Sequence, residues 1–325
     1  MCTCITYKNG DFYFGRNMDI EYDFGEKLVM TPRNHIFRFK EMPEIKTHHA
    51  MIGMAAVHDG YPLYAEAVNE KGLCMAGLYF PGNAFYNEKK ECGLNLAPYE
   101  LIPWILGQCS TVKEASAMLE EVNITDEPFD DGLPLADLHW MIADESSCIV
   151  LEAMEDGNHI YDNIYGVLTN NPPFPYYQIH LSNYINIRPE APVNSFSKSL
   201  ELPVYGQGMG ALGLPGDFSP VSRFVKAAFL KWNSHAQEDE ISSVTQFFHI
   251  LDAVAMVDGA VVTENGLNDV TLYSCCINVQ KCVYYFKTYG NSRIQAVDMK
   301  KEGLDGEDLR IFEVSFRQDI NFLKS

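Results

Sequence analysis

The 325-residue chain has no uninterrupted run of about 18 apolar residues, so it offers no membrane-spanning helix. Its first residues, Met1-Cys2-Thr3-Cys4-Ile5-Thr6, carry neither a basic leader nor an apolar stretch, and nothing in them directs export. Basic residues are scarce. With 24 Lys and Arg against 44 Asp and Glu the formal net charge is −20, and that balance argues against nucleic acid as a partner, which needs a basic face. The nine cysteines include no CxxC and the nine histidines no HExxH, which removes the common zinc frameworks. An odd cysteine count without an export signal predicts reduced thiols and a cytoplasmic protein. There is no GxSxG, hence no serine nucleophile of the α/β-hydrolase kind. Gly208-Met209-Gly210-Ala211-Leu212-Gly213 spells a dinucleotide fingerprint, yet Leu214-Pro215-Gly216 follows where a helix must continue. We therefore expect a Gly-rich loop there, and neither metal nor cofactor.

What is present describes a globular protein: 47% of residues are hydrophobic and 21% charged. No linker, repeat or low-complexity tract divides it, so a single domain over residues 1–325 is expected. Asn9-Gly10 between the β-rich stretches Cys2–Tyr7 and Phe12–Phe14 predicts a hairpin. A second is predicted where Asp144-Glu145-Ser146-Ser147 joins Leu138–Ala143 to Cys148–Ala153, and further strands at Val270–Val279 and Lys281–Tyr289. Thr111-Val112-Lys113-Glu114 has the form of a capping box, and Ser219-Pro220 that of an N-cap followed by a first-turn proline. A third helix is predicted over Val244–Met256, with Phe247, Phe248, Leu251 and Val254 inward. Hairpins and helices in separate blocks indicate mixed sheets with helices layered on them rather than βαβ units.

The N-terminus holds the chemistry. Cys2 is small enough for the initiator methionine to be removed, and removal would put a thiol and a free α-amine on one residue. An α-amine titrating near ~7.7–8.0 can take the proton of a thiol whose ordinary pKa is ~8.5, so the pair is matched near neutrality. Threonine activated by its own terminal amine is a parallel case. The second strand of the first hairpin runs antiparallel to the first, which lets Arg16 and Asp19 return beside Cys2. An arginine there stabilises a thiolate, and a carboxylate holds an ammonium.

Five segments in order, Met1-Cys2-Thr3, Phe14-Gly15-Arg16-Asn17-Met18-Asp19, Asn69-Glu70-Lys71-Gly72-Leu73, Leu168-Thr169-Asn170-Asn171-Pro172 and Leu214–Phe224, resemble the choloylglycine hydrolase family, which contains bile salt hydrolases and penicillin V acylases. The resemblance implies an α+β fold, the N-terminal nucleophile hydrolase αββα sandwich of two mainly antiparallel sheets between helical layers. It implies amide hydrolysis without metal or cofactor. Carried over, it makes Cys2 the nucleophile and, through its amine, the base. Arg16 and Arg223 would flank the thiol and Asp19 would orient the amine. Asn170, with Asn171 as the alternative, would supply one oxyanion donor and the Tyr79 N–H the other. Such donors are each worth roughly 2.7–4 kcal/mol.

Tyr79 stands where bile salt hydrolases usually carry asparagine and penicillin V acylases often tyrosine, but Met18–Tyr22 and Leu214–Phe224 look closer to the bile salt group. By the same resemblance Met18, Ile20, Tyr22, Phe24, His58, Tyr61, Phe129 and Leu133 are the candidates to bind an apolar acyl group, and a homotetramer is expected. The substrate expected is a glycine- or taurine-conjugated bile salt. The alternatives are a penicillin V or N-acyl homoserine lactone acylase using the same chemistry, and a non-catalytic binding protein that keeps Met1.

Overall fold

The computed structural model describes residues 1–130 and 132–324. Two antiparallel sheets form its middle. In the six-stranded sheet the spatial order is Val167–Leu168, β1 (Cys2–Asn9), β2 (Asp11–Ile20), Val270–Asn278, Val283–Thr288 and Asn291–Asp298. In the eight-stranded sheet it is Gly157–Asp162, Cys148–Met154, Leu138–Ala143, Cys74–Tyr79, Tyr61–Asn69, Met51–His58, Lys27–Thr31 and Arg310–Phe312.

Side-chain alternation along the strands builds the layers. Cys74, Ala76 and Leu78 join Met141 and Ala143 in a core shared with Cys4 and Phe14 of the other sheet. The intervening Met75, Trp140 and Ile142 point the opposite way, into a second core with α1 (Leu101–Gln108) and α2 (Val112–Glu120). After α3 (Phe174–His180) come α4 (Pro220–Asn233) and α5 (Glu240–Asp252), which cover the outer face of the six-stranded sheet. The result is an αββα sandwich, as the resemblance implied.

Gly10 closes the first hairpin at φ +64, a conformation glycine adopts without strain. β2 runs on to Ile20, well past the Phe14 limit expected from its apolar letters, because its polar residues find buried partners. Gly15 lets β2 lie close to Val270–Asn278; a Cβ there would run into the carbonyl oxygen of Cys275. Thr111 caps α2 by accepting from the Glu114 N–H, while the Glu114 carboxylate turns to the N–H of Ser110 rather than of Thr111. Ser219 caps α4 with Pro220 in its first turn. The third helix begins at Glu240 and ends at Asp252, four residues earlier at each end than the apolar spacing indicated, because Asp239 caps it by accepting from Ser242 N–H. Gly208–Gly213 is a loop with one tight turn at Met209–Ala211, and no strand precedes it. All nine cysteines are free. Among the described residues no helix is long and apolar enough to cross a membrane, and no group of three His, Cys, Asp or Glu side chains is placed to hold a metal.

Candidate active site

The register of the first hairpin pairs Cys2 with Met18 and Cys4 with Arg16, which puts these four side chains on the face between the sheets. The Arg16 guanidinium lies against Cys2 Sγ through Nη2, and its Nη1 donates to the carbonyls of Gly77 (2.5 Å) and Ala65 (3.2 Å) in the opposite sheet. Met18 Sδ is 4.0 Å from the same sulfur. Arg16 is wholly buried, and its positive charge is balanced by Glu66, 3.8 Å away and equally buried. The phenols of Tyr273 (2.7 Å) and Tyr284 (2.5 Å) donate to that carboxylate. Burial pushes Glu66 above the usual carboxylate range, against the pull of Arg16 and the two phenols. For Arg16 burial works against the charge, and the surrounding Cys2, Tyr273 and Glu66 overcome it and raise its pKa.

On the other face of β1, Arg223 of α4 reaches the same residue from the helical layer. Its Nη1 donates to the Cys2 carbonyl (2.6 Å) and to Thr3 Oγ1 (2.6 Å), and its Nη2 to Asn170 Oδ1 (2.7 Å). Asp19 lies 3.8 Å from it. Burial lowers the Arg223 pKa, and Asp19 and Cys2 only partly offset this. Burial likewise raises Asp19, opposed by Arg223. Asp19 accepts from Thr271 (2.6 Å) through one carboxylate oxygen, while the other, buried, makes no hydrogen bond and has only the Arg223 charge 3.8 Å away.

Asn170, not Asn171, stands beside the nucleophile candidate. Its Oδ1 accepts from the Cys2 N–H (3.0 Å), and its Nδ2 donates to the Tyr79 carbonyl (2.7 Å), which leaves one amide proton for an incoming oxygen. Asn171 instead donates to Pro81. The segment is held from below: the Tyr177 hydroxyl is 2.9 Å from the Asn170 carbonyl and 2.7 Å from that of Asn171, and the buried His139 lies 3.0 Å from the Thr169 carbonyl and 3.2 Å from Glu152. The Tyr79 side chain is half exposed.

In the full-length chain the terminal ammonium is that of Met1. It donates to the Asp19 carbonyl rather than to the Asp19 carboxylate, and pairs with Asp269 at 3.2 Å.

The residues expected to bind an acyl group fall into separate places. Met18 adjoins the sulfur, Ile20 and Phe24 pack against the core between the sheets, and Tyr22 is exposed. Phe129 packs on Tyr61 and His58, with ring centroids 5.7 and 6.1 Å away. Leu133, half-buried, bridges back to Asp130. Tyr61 and Phe129 line a cavity of about 310 Å³ whose walls include Arg38, Lys40, Tyr99 and Glu100 but neither Cys2 nor Asn170.

Glu66, Asp269, Thr271, Tyr273, His139 and Glu152 escaped the sequence reading. A single carboxylate inside an apolar strand, in Tyr64-Ala65-Glu66-Ala67-Val68 and again in Val150-Leu151-Glu152-Ala153, was the available signal for two of them. Asp269 had none.

A cysteine heading the first strand of an αββα sandwich, with its sulfur against a buried arginine, defines an N-terminal nucleophile hydrolase fold. The family model for linear amide C–N hydrolases of the choloylglycine hydrolase family matches residues 2–312, and the chain belongs to that family. It is 46% identical over 309 residues to a bile salt hydrolase/transferase of Lactiplantibacillus plantarum, covering 95% of each chain. To a bile salt hydrolase/transferase of Clostridium perfringens it is 38% identical, covering 99% of each. The crystal structure of the mutant C2A conjugated bile acid hydrolase from Clostridium perfringens superposes over 100% of both chains, with a TM-score of 0.92 and 38% identity. Penicillin V acylase from Agrobacterium tumefaciens, at 19% identity and a TM-score of 0.74 over 95% of this chain and 90% of its own, shares the fold.

Proposed function

We propose that the protein hydrolyses the amide bond of glycine- or taurine-conjugated bile salts, with Cys2 as nucleophile once Met1 has been removed. The observation that carries this is the buried contact of the Arg16 guanidinium with Cys2 Sγ, a cation placed where a thiolate must form. The Cys2 α-amine takes the thiol proton, and sulfur attacks the amide carbon. The resulting oxyanion accepts from the free Asn170 Nδ2 proton and the Tyr79 N–H. Collapse breaks the C–N bond, the leaving nitrogen takes the proton from the Cys2 α-ammonium, and a thioester remains. Water, deprotonated by the same amine, then releases the acid. Arg223 and Asp19 hold the Cys2 main chain and the N-terminal environment in place.

Identity of 46% to a protein named for bile salts favours that substrate over penicillin V, whose acylase shares the fold at 19% identity. Tyr79 is the residue that keeps the penicillin V reading as the alternative. The apolar acyl group would lie along Met18, Ile20 and Phe24, on the side of the Cys2 sulfur, whereas His58, Tyr61, Phe129 and Leu133 belong to the separate cavity region and would take part only by reaching a distant end of the ligand. Exposed Ile185, Val193, Phe196, Val204, Tyr205 and Leu212, all in one stretch of chain, are suited to contacts between copies in a homotetramer. A cytoplasmic location fits the reduced cysteines.

Competing glycocholate against penicillin V in one reaction tests the substrate: bile salt turnover is expected to dominate, and a higher penicillin V rate reverses the assignment. Cys2→Ala is expected to abolish turnover of both while the protein stays folded. Wild-type rates in that variant would end the nucleophile assignment.

A further inference from the structure

His139 touches both segments that carry the proposed oxyanion donors. In the eight-stranded sheet it sits opposite Leu78 on one side and Glu152 on the other, so the neighbouring strands fix where its ring lies. The ring stacks on that of Phe80, the residue after Tyr79, with centroids 4.4 Å apart and an interplanar angle of 5°. Its Nε2 is 3.0 Å from the carbonyl of Thr169, the residue before Asn170. His139, Phe80, Thr169 and Glu152 are all fully buried.

The donors and acceptors around the ring decide what it does. A carbonyl oxygen only accepts, so Nε2 carries a proton and donates it to Thr169. Nδ1 faces Glu152 Oε1 at 3.2 Å, and that contact requires one proton between the two. The same carboxylate accepts from the Phe174 N–H at 2.9 and 3.2 Å, which fastens the first residue of α3. Tyr177 of α3 in turn lies 2.9 Å from the Asn170 carbonyl and 2.7 Å from that of Asn171. Glu152 thus supports the Asn170 segment by two routes, through His139 and through α3. The histidine route also reaches the Tyr79 side, through Phe80.

Asn170 and Tyr79 are 91 residues apart in the chain, and an oxyanion needs both donors at once. Such donors lower a barrier only when they are already aimed, so a rigid group in contact with both segments sets the spacing between them. The geometry points to His139, locked by Glu152, as the positioning residue that holds the two oxyanion donors together. This assignment rests on the reading of Asn170 and the Tyr79 N–H as those donors. The hydrogen bonds of His139 go to Glu152 and Thr169 and not to Cys2 or Arg16, so its effect belongs to amide cleavage rather than to the reactivity of the thiol.

The test compares two histidine variants with Asn170→Ala. Each is assayed for hydrolysis of whichever of glycocholate and penicillin V the wild type cleaves faster, and for Cys2 alkylation by iodoacetamide, a displacement that forms no oxyanion. An asparagine amide nitrogen falls near the place of Nδ1 and a glutamine one near that of Nε2. His139→Asn therefore loses the bond to Thr169, and kcat is expected to fall roughly 100-fold, the scale of a small misplacement near a reacting centre, with KM near wild type. His139→Gln keeps that bond and should recover most of the loss. Alkylation should be unchanged in both. Phe80→Leu removes the stacking without stranding a polar group, and it decides if the histidine variants do not fold: a smaller drop in kcat at unchanged alkylation is expected. Wild-type kcat in folded His139→Asn, equal losses in the Asn and Gln variants, or alkylation slowed in step with kcat overturns the positioning role, as does an unchanged kcat in Phe80→Leu where that variant decides. Wild-type kcat in Asn170→Ala overturns the oxyanion reading instead, and the role of His139 falls with it.

Discussion

Arg16 and Arg223 meet Cys2 from opposite faces of the same strand, both fully buried, yet their surroundings differ in kind. Arg16, between the sheets, faces acidic groups: a thiol, a carboxylate and two phenols pointing at that carboxylate. Arg223, between sheet and helix, mainly donates to neutral oxygens, the Cys2 and Phe218 carbonyls, Thr3 Oγ1 and Asn170 Oδ1, with Asp19 at 3.8 Å. The directions of their pKa shifts follow: surrounding negative charge raises one despite burial, and burial lowers the other despite Asp19. A buried arginine next to a nucleophile thus has two possible uses. One stabilises charge on sulfur, and the other fixes main chain and carboxamide.

The largest expected effect separates these uses. Arg16→Met should reduce kcat/KM by roughly 10²–10³, the range seen when one preorganised charge-stabilising group is lost. Alkylation of the Cys2 thiol by iodoacetamide at pH 7 should slow with it. Because Arg16→Met strands Glu66, adding Glu66→Gln should recover stability without recovering activity. If the double variant regains turnover, Arg16 acts through folding alone and the comparison fails.

Arg223→Met comes next. It leaves Asp19 buried and unpaired, so a stability loss of about 3–5 kcal/mol in urea unfolding is expected. Asn170 loses the donor that orients it, and kcat falls. Thiol alkylation, measured below the unfolding transition, should stay near wild type. An alkylation rate reduced as much as in Arg16→Met would mean that both arginines act on the sulfur.

How much of this was legible beforehand follows the same division. Cys2, Arg16 and Asp19 lie on one hairpin whose turn is spelled by Asn9-Gly10, so local pairing rules bring them together. The strand Leu138–Ala143 and the Ser219 cap were likewise local matters. Arg223 and Asn170 were placed only by resemblance, since 53 residues separate them from each other and over 160 separate either from Cys2. Glu66 and Asp269 depend on packing between layers, which no short window of sequence describes. The α5 start was missed because Asp239 outranks the apolar spacing that follows it.

The smallest expected effect concerns the foundation of the Arg223 side. Asp217 accepts from the Ser219 N–H at 2.9 Å and from the Ser222 hydroxyl at 2.6 Å, and so ties down the start of α4 just before Arg223. Those hydrogen bonds hold its carboxyl down at about 2. The folded state therefore binds protons at Asp217 less readily than the unfolded chain, whose ordinary value is ~3.9. The stabilisation is complete above that ordinary value and is lost as pH falls through the window toward about 2. Asp217 is exposed, so solvent screening leaves it worth only about 0.5 kcal/mol. Melting temperatures of wild type and Asp217→Asn should differ slightly and constantly from neutral pH down to about 4, then converge toward pH 2. Thiol alkylation should be the same in both, because Arg16 is held by Gly77, Ala65 and Glu66 of the opposite sheet rather than by α4. A gap that persists at pH 2 would mean that the asparagine disturbs α4 by its shape rather than its charge, and the acid-sensitive side of the comparison would have to be sought elsewhere.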